Sequence, residues 1–236
     1  MADMIKLILV LTTVTAVAGL AIGLTNSKLE EKIAAQKLET QQAAITAVFP
    51  EGVTIDETAG SAGSGLPEKY WRASAGGVLM GYAFEMAGGG YAGDINFIVG
   101  VTPDGKILGM TVLSHNETPG LGSRINEIAS TMYIWYPVGG QEKLKPWFME
   151  QFEGLSALTS IGIDKKTAEW HKLDKSGRDD LREKNTVTAI TGSTITTLAF
   201  MRAIAQNVKR YLDAIASDGE QQDAAPAEDG NDGDNN

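Results

Sequence analysis

"LILVLTTVTAVAGLAIGL", residues 7–24, runs for eighteen residues without a charge. At about 1.5 Å of rise per residue, a helix of that length reaches roughly 27 Å, close to the hydrocarbon thickness of a bilayer. Residues 1–27 are therefore read as a retained membrane anchor. The alternative is a cleaved signal peptide, because Ala16-Val17-Ala18 has the small-x-small form of a cleavage site. The length of the run and the single lysine ahead of it, Lys6, favour the anchor. Charge does not fix orientation: Lys6 precedes the span, while Lys28, Lys32 and Lys37 follow it among glutamates.

Beyond the anchor, the 236-residue chain has room for one sizeable domain. A formal net charge of −10 argues against nucleic acid as a partner, since phosphate contacts need clustered Lys and Arg. Part of that acidity lies in residues 217–236, which lack large apolar side chains and are expected to be disordered. Without cysteine the chain can hold no disulfide, Fe–S cluster or thiolate zinc site.

Residues 28–56 are expected to form a linking helix, since Lys28 to Phe49 contains no Gly or Pro and is rich in helix formers; Pro50 and Gly52 end it. Residues 57–69 are Gly/Ser-rich and read as a loop. Strands follow. Residues 70–86 divide around Gly76-Gly77, with Val78, Met80, Tyr82, Phe84 and Met86 alternating in the second run. "GGGYAG", 88–93, interrupts. Residues 94–115 then form the clearest hairpin: Ile95, Phe97, Val99 and Val101 alternate up to Pro103-Asp104-Gly105, and Leu108, Met110 and Val112 resume the period. Residues 123–185 show no single period; Trp135-Tyr136 stops at Pro137, and Gly139-Gly140 marks a turn. In the last helix Met201, Ile204, Val208, Tyr211 or Leu212, and Ile215 recur at helical spacing and should pack on the sheet. The fold class expected is α+β: one N-terminal transmembrane helix followed by a single antiparallel-sheet-plus-helices domain over residues 57–216.

Two stretches carry chemistry. "AITGSTITTLAF", 189–200, gathers five hydroxyls around Gly192 at the mouth of that last helix. A helix N-terminus presents unpaired N–H groups and a partial positive charge, which suit a phosphate, and Gly192 lets backbone approach a ligand. Simple N-capping would need only one hydroxyl. "SHNETPGLGSRI", 114–125, follows the hairpin with Pro119, Gly120 and Gly122, and with His115 and Glu117 at its start. One His and one Glu are too few ligands for a metal, and no Gly-x-Ser-x-Gly elbow accompanies the His for a hydrolytic triad. Asp164, Glu169, Asp179 and Asp180 alternate with Lys165, Lys166, Lys172, Lys175 and Arg178, the pattern of a solvated surface. Trp147 and Phe152 read as core rather than as a cofactor stack.

"HNETPGLG", 115–122, resembles the signature of the FMN-binding domain family, and "TGST", 191–194, is similar to its Ser/Thr-Gly-Ala-Thr motif. "GYAG" at 90–93, "PDGKILGM" at 103–110 and "PWFMEQF" at 146–152 extend the likeness. The family includes the G subunit of the Rnf electron-transport complex and the C subunit of the sodium-pumping NADH:quinone reductase; the compactness of this chain favours the former. The resemblance implies one FMN, joined to Thr194 by a phosphoester bond that a flavin transferase installs. It places Thr191, Gly192, Ser193, Thr196 and Thr197 around the phosphate, with Glu117, Thr118, Gly120 and Leu121 as the facing wall. No side chain is expected to act catalytically. The implied partners are the other membrane subunits of the Rnf complex. The implied location is the cytoplasmic membrane, single-pass, with the domain on the periplasmic or extracytoplasmic side. Two positions depart from the family pattern: Thr188 stands where it has Asp, and Ser193 where it has Ala. They leave an unflavinylated, membrane-tethered binding module as the competing reading.

Overall fold

The structure is a computed structural model that describes residues 2–60, 65–129 and 145–223. The Trp135-Tyr136 stop, the Gly139-Gly140 turn, the heart of the Gly/Ser loop (61–64) and most of the acidic tail (224–236) lie outside the described residues. Two compact units result, Met1–Ala43 and Ala44–Asn236.

Helix α1, Ala2–Ala47, is 46 residues long, so the expected anchor and linking helix are one uninterrupted element. The absence of Gly or Pro between Asn26 and Pro50 gives the helix no reason to break there. Its stretch Asp3–Asn26 has a mean hydropathy of 2.4 with none of it buried, long and apolar enough to cross a membrane.

The second unit is built on an antiparallel sheet of five strands in sequence order: β1 (Thr54–Ala59), β2 (Lys69–Ala75), β3 (Val78–Gly89), β4 (Asp94–Val101) and β5 (Ile107–Ser114). The β4–β5 hairpin turns as expected, with Gly105 at φ +80° and its N–H bonded to the Thr102 carbonyl. β1 was not legible. "TIDETA" is a polar edge strand, carried by its ladder to β2 and an exposed Glu57–Lys69 ion pair of 2.7 Å.

Both faces of the sheet are covered. On one, Tyr82, Phe84, Met86, Phe97 and Val99 pack against α4 (Thr194–Asp223), whose buried stripe is Ala199, Phe200, Ala203, Ile204 and Val208. On the other, Trp71, Ala73, Ala83 and Ile98 receive Ala44, Ile45, Val48 and Phe49. Gly100 and Gly109 face each other across β4 and β5, and a Cβ on either would come within 3.0 Å of the Val48 carbonyl oxygen. The paired glycines thus seat the end of α1 against the sheet. Trp147 and Phe152, at and after the short helix α2 (Trp147–Glu150), are buried core, in agreement with the sequence reading, and Phe148 is buried beside them.

Between α2 and α4 the chain makes a small parallel unit. β6 (Gly162–Asp164) and β7 (Thr186–Thr188) pair through a crossover containing α3 (Lys175–Glu183). The exit of β7 leads into the hydroxyl-rich loop and α4. The exit of β5 leads into "HNETPGLG" and a 3-10 turn over residues 122–126. These two exits converge on one cleft.

Candidate functional site

The cleft has a volume of about 490 Å³ and is lined on one side by Glu117, Thr118, Leu121 and Gly122, and on the other by Gly192, Ser193, Thr194, Ile195 and Thr196; Tyr91 stands at its edge. The two stretches singled out in the sequence therefore face one another. Of the expected residues, Thr191, Thr197 and Gly120 do not line it. Thr197 is fully buried, its Oγ accepting from the Ile190 N–H at 3.2 Å and donating to the Ser193 carbonyl at 3.4 Å. Both bonds go to the backbone of the Ile190–Ser193 segment. Gly120, at φ +77°, makes the turn that brings Leu121 round, and its N–H donates to the Ser123 hydroxyl at 3.1 Å.

Gly192 is essential to the shape. Its φ is +78°, a left-handed conformation that L side chains rarely adopt, and an added Cβ would meet Leu121 Cδ2 at 3.2 Å. After it the chain enters α4. The first α4 turn closes with the Thr197 N–H bonded to the Ser193 carbonyl at 3.2 Å, and the N–H groups of Thr194, Ile195 and Thr196 come before that bond. Such groups, at the positive end of a 30-residue helix, make this wall receptive to an anion. Thr194 itself is half-buried, and Leu121 and Ile195 contribute apolar surface that is 45% and 49% exposed.

Glu117 ties the wall together. Only 5% exposed, it accepts from the Tyr91 and Ala92 N–H groups through Oε1 and from the Thr196 hydroxyl through Oε2. Burial pushes its carboxyl up, but the bonds from Thr196, Ala92 and Tyr91, with His115 nearby, outweigh it and hold the group below the ordinary carboxylate range. Its negative charge is thus engaged by the "GYAG" turn and by Thr196. Because the Thr196 hydroxyl hydrogen points at Glu117, only its oxygen lone pairs remain for anything in the cleft. Gly90 and Gly122 make room for this carboxylate, since a Cβ on either would collide with it. Tyr91, Gly122 and Ile195 also line the cleft without having been expected as site residues, although each lies inside a quoted stretch: "GYAG", "HNETPGLG" and "AITGSTITTLAF".

One sequence reading is corrected behind the cleft. Glu169, read with its neighbours as solvated, is 3% exposed. Arg124 donates to both its oxygens, at 2.7 and 3.0 Å, Lys172 reaches it at 3.0 Å, and the Thr191 N–H donates to Oε1 at 3.0 Å. Arg124 holds the Glu169 carboxyl far below its ordinary range against the opposing effect of burial, and the Arg124 guanidinium is correspondingly raised. Burial lowers the pKa of the adjacent His171 imidazole, partly offset by Glu169. A carboxylate in a charge-dense segment looks solvated in sequence; its partner in a distant loop is invisible there. Asp179 and Asp180 are exposed, as read.

Comparison with known proteins supplies the frame for this site. The FMN-binding domain family matches residues 90–209, and the chain belongs to that family. It is 28% identical over 218 residues to the G subunit of the Na(+)-translocating ferredoxin:NAD(+) oxidoreductase complex of Acetobacterium woodii, covering 87% of this chain and 90% of the relative. It is 27% identical over 216 residues to the G subunit of the ion-translocating oxidoreductase complex of Shewanella amazonensis, covering 87% of each. Among solved structures, NqrC of Shewanella oneidensis aligns with a TM-score of 0.45 and 16% identity over 72% of this chain and 71% of that one.

The residues present fit an FMN. A hydroxyl stands at the wall, helix N–H groups and an unbranched glycine lie beside it, and two apolar side chains border the cleft.

Proposed function

We propose that this chain is the membrane-anchored, electron-transferring G subunit of an Rnf-type ion-translocating ferredoxin:NAD oxidoreductase, with one FMN joined to Thr194 through a phosphoester. The observation that carries the reading is the position of Thr194: at the mouth of α4, within a cleft whose opposite wall is Glu117 to Gly122. Bound there, the flavin supplies one- and two-electron transfer. The chain's own part is to anchor, orient and shield. The Thr194 oxygen is the tether, the α4 N-terminus offsets the charge of a phosphodiester, and Gly192 keeps the approach clear. Leu121 and Ile195 exclude water from one side. No side chain need exchange a proton during turnover.

The relatives named above are subunits of ion-translocating complexes, which supports other membrane subunits as partners, ferredoxin and NAD being handled elsewhere in the assembly. A flavin transferase is required for maturation. The domain is assigned to the periplasmic or extracytoplasmic side, where a covalent tether prevents loss of a cofactor that could not readily be replaced. The competing reading, an unflavinylated tethered module, draws on Thr188 and Ser193 alone.

Expression in a host that carries the transferase separates the two. The denatured chain should fluoresce on a gel under ultraviolet light, and its intact mass should exceed the polypeptide by one dehydrated FMN. Thr194→Val should remove both signals. A dark band of bare polypeptide mass from the native sequence would sink the reading.

A further inference from the structure

Neither Glu169 nor Arg124 touches the cleft, yet together they tie the backbone that flanks each of its walls. Arg124 lies in the 3-10 turn that begins at Gly122, two residues after that wall's last member. Thr191, whose N–H the same Glu169 carboxylate accepts at 3.0 Å, immediately precedes the opposite wall, which begins at Gly192. Glu169 comes from neither segment; it precedes the short turn over Trp170–Lys172.

The consequence for the loop is specific. Gly192 is its least restrained residue, since it lacks a Cβ and sits at φ +78°. On its two sides the backbone is pinned: the Thr191 N–H to Glu169, and the Ser193 N–H to the Ile190 carbonyl at 2.9 Å. Removing the first pin would leave Gly192 free to swing and carry Ser193 and Thr194 with it. The Lys172 ammonium, at 3.0 Å, keeps the carboxylate charged alongside Arg124.

We propose that Glu169, braced by Arg124, is a positioning residue that presets the Thr191–Thr194 loop for flavin transfer by holding the Thr191 N–H. This inference rests on the reading of Thr194 as the attachment point. In the transfer, the Thr194 Oγ–P bond forms while the bond between the FMN phosphorus and its leaving group breaks. The donor is a flavin dinucleotide, so the leaving group is a nucleoside monophosphate; the hydroxyl proton passes to solvent and no electrons change hands. A hydroxyl that wanders by a fraction of an ångström loses much of the benefit of a prepared geometry.

The test is the rate at which FMN mass appears on the full-length chain, co-expressed with the transferase and sampled over time, alongside unfolding temperature. Glu169→Met removes the acceptor of the Thr191 N–H; loading is expected to slow by about tenfold or more. Arg124→Met/Glu169→Met replaces the buried pair with apolar side chains of similar reach, a change that commonly restores stability. There the unfolding temperature should recover while loading stays slow, because nothing accepts from Thr191. The idea is overturned if Glu169→Met loads at the native rate, or if loading in the double variant rises in step with its stability. Should Glu169→Met fail to fold, the double variant decides alone. A native chain that never gains FMN mass removes the underlying assignment of Thr194 rather than the brace.

Discussion

The Thr196 hydroxyl donates to Glu117 Oε2 at 2.5 Å, joining two segments 79 positions apart in the chain. The same carboxylate holds the "GYAG" turn, so one side chain closes three loops around the cleft. Glu117→Ala would leave the Tyr91 and Ala92 N–H groups without their acceptor and is expected to cost about 2–4 kcal/mol; Thr196→Val, which removes one charged hydrogen bond, about 1.5–3 kcal/mol. Denaturant unfolding of the two variants and their combination checks this. The double variant should fall short of the sum, because both changes break one shared bond.

Acid should loosen the cleft before it unfolds the sheet. Glu117 and Glu169 both have folded pKa values depressed below their unfolded ones. Each therefore adds stability that is complete above the unfolded carboxylate pKa of about 4.3 and is lost as pH falls through the folded value. Stability should be flat from neutrality to roughly pH 5 and drop steeply below it. Glu169→Gln should be less stable at neutral pH and show a shallower decline in acid. A parallel decline in both proteins would refute the assignment of that slope to Glu169.

The sheet was legible because its strands alternate. Phe97 and Val99 announce a buried face, and Pro103-Asp104-Gly105 announces the turn between them and Met110. β1 was not, because an edge strand with one exposed face and one thin neighbour needs no apolar alternation. Of the cleft, both walls could be read from motifs, and the last helix from the spacing of Met201, Ile204, Val208 and Ile215, though it begins at Thr194, inside the stretch read as preceding it. Which hydroxyls point inward could not: Thr194, Thr196 and Thr197 lie within one turn of each other, and only packing turns Thr197 into the core. Glu169 was misread for a related reason. Burial of a charge depends on its partner, and Arg124 lies 45 positions away.

Gly100 and Gly109 offer a test of how the end of α1 is held. Each lies against the Val48 carbonyl with no room for a Cβ. Gly109→Val should force Val48 away, at a cost of about 1–3 kcal/mol, by overpacking a closed interface. Hydrogen exchange should rise at residues 44–49 while the β3 and β4 amides stay protected. Uniform loss of protection across the sheet would mean that the glycines serve strand pairing instead.

Thr188, where the family pattern has Asp, occupies a fully buried position whose neighbours explain a hydroxyl. Its N–H and its Oγ both donate to Gln151 Oε1, at 2.8 and 3.1 Å, and the Oγ accepts from the Trp170 N–H at 3.0 Å. A hydroxyl can donate and accept at once; a carboxylate can only accept. Thr188→Val would strand the Trp170 N–H and should cost about 1–3 kcal/mol. Thr188→Asp keeps an acceptor for Trp170 but sets a buried charge against Gln151 Oε1, so it should destabilise more than Val at pH 7. Such an uncompensated carboxylate has a folded pKa raised above its unfolded value of about 3.9, so its penalty fades as pH falls through that raised pKa. The stability gap between the Asp and Val variants should therefore narrow on acidification from pH 7 to 5, read by thermal unfolding. If the Asp variant instead matches or exceeds the native chain at pH 7, Gln151 must turn its amide over and present the Nε2 that has no partner among the described residues. That outcome would show the site able to accept the family's carboxylate through Gln151 alone.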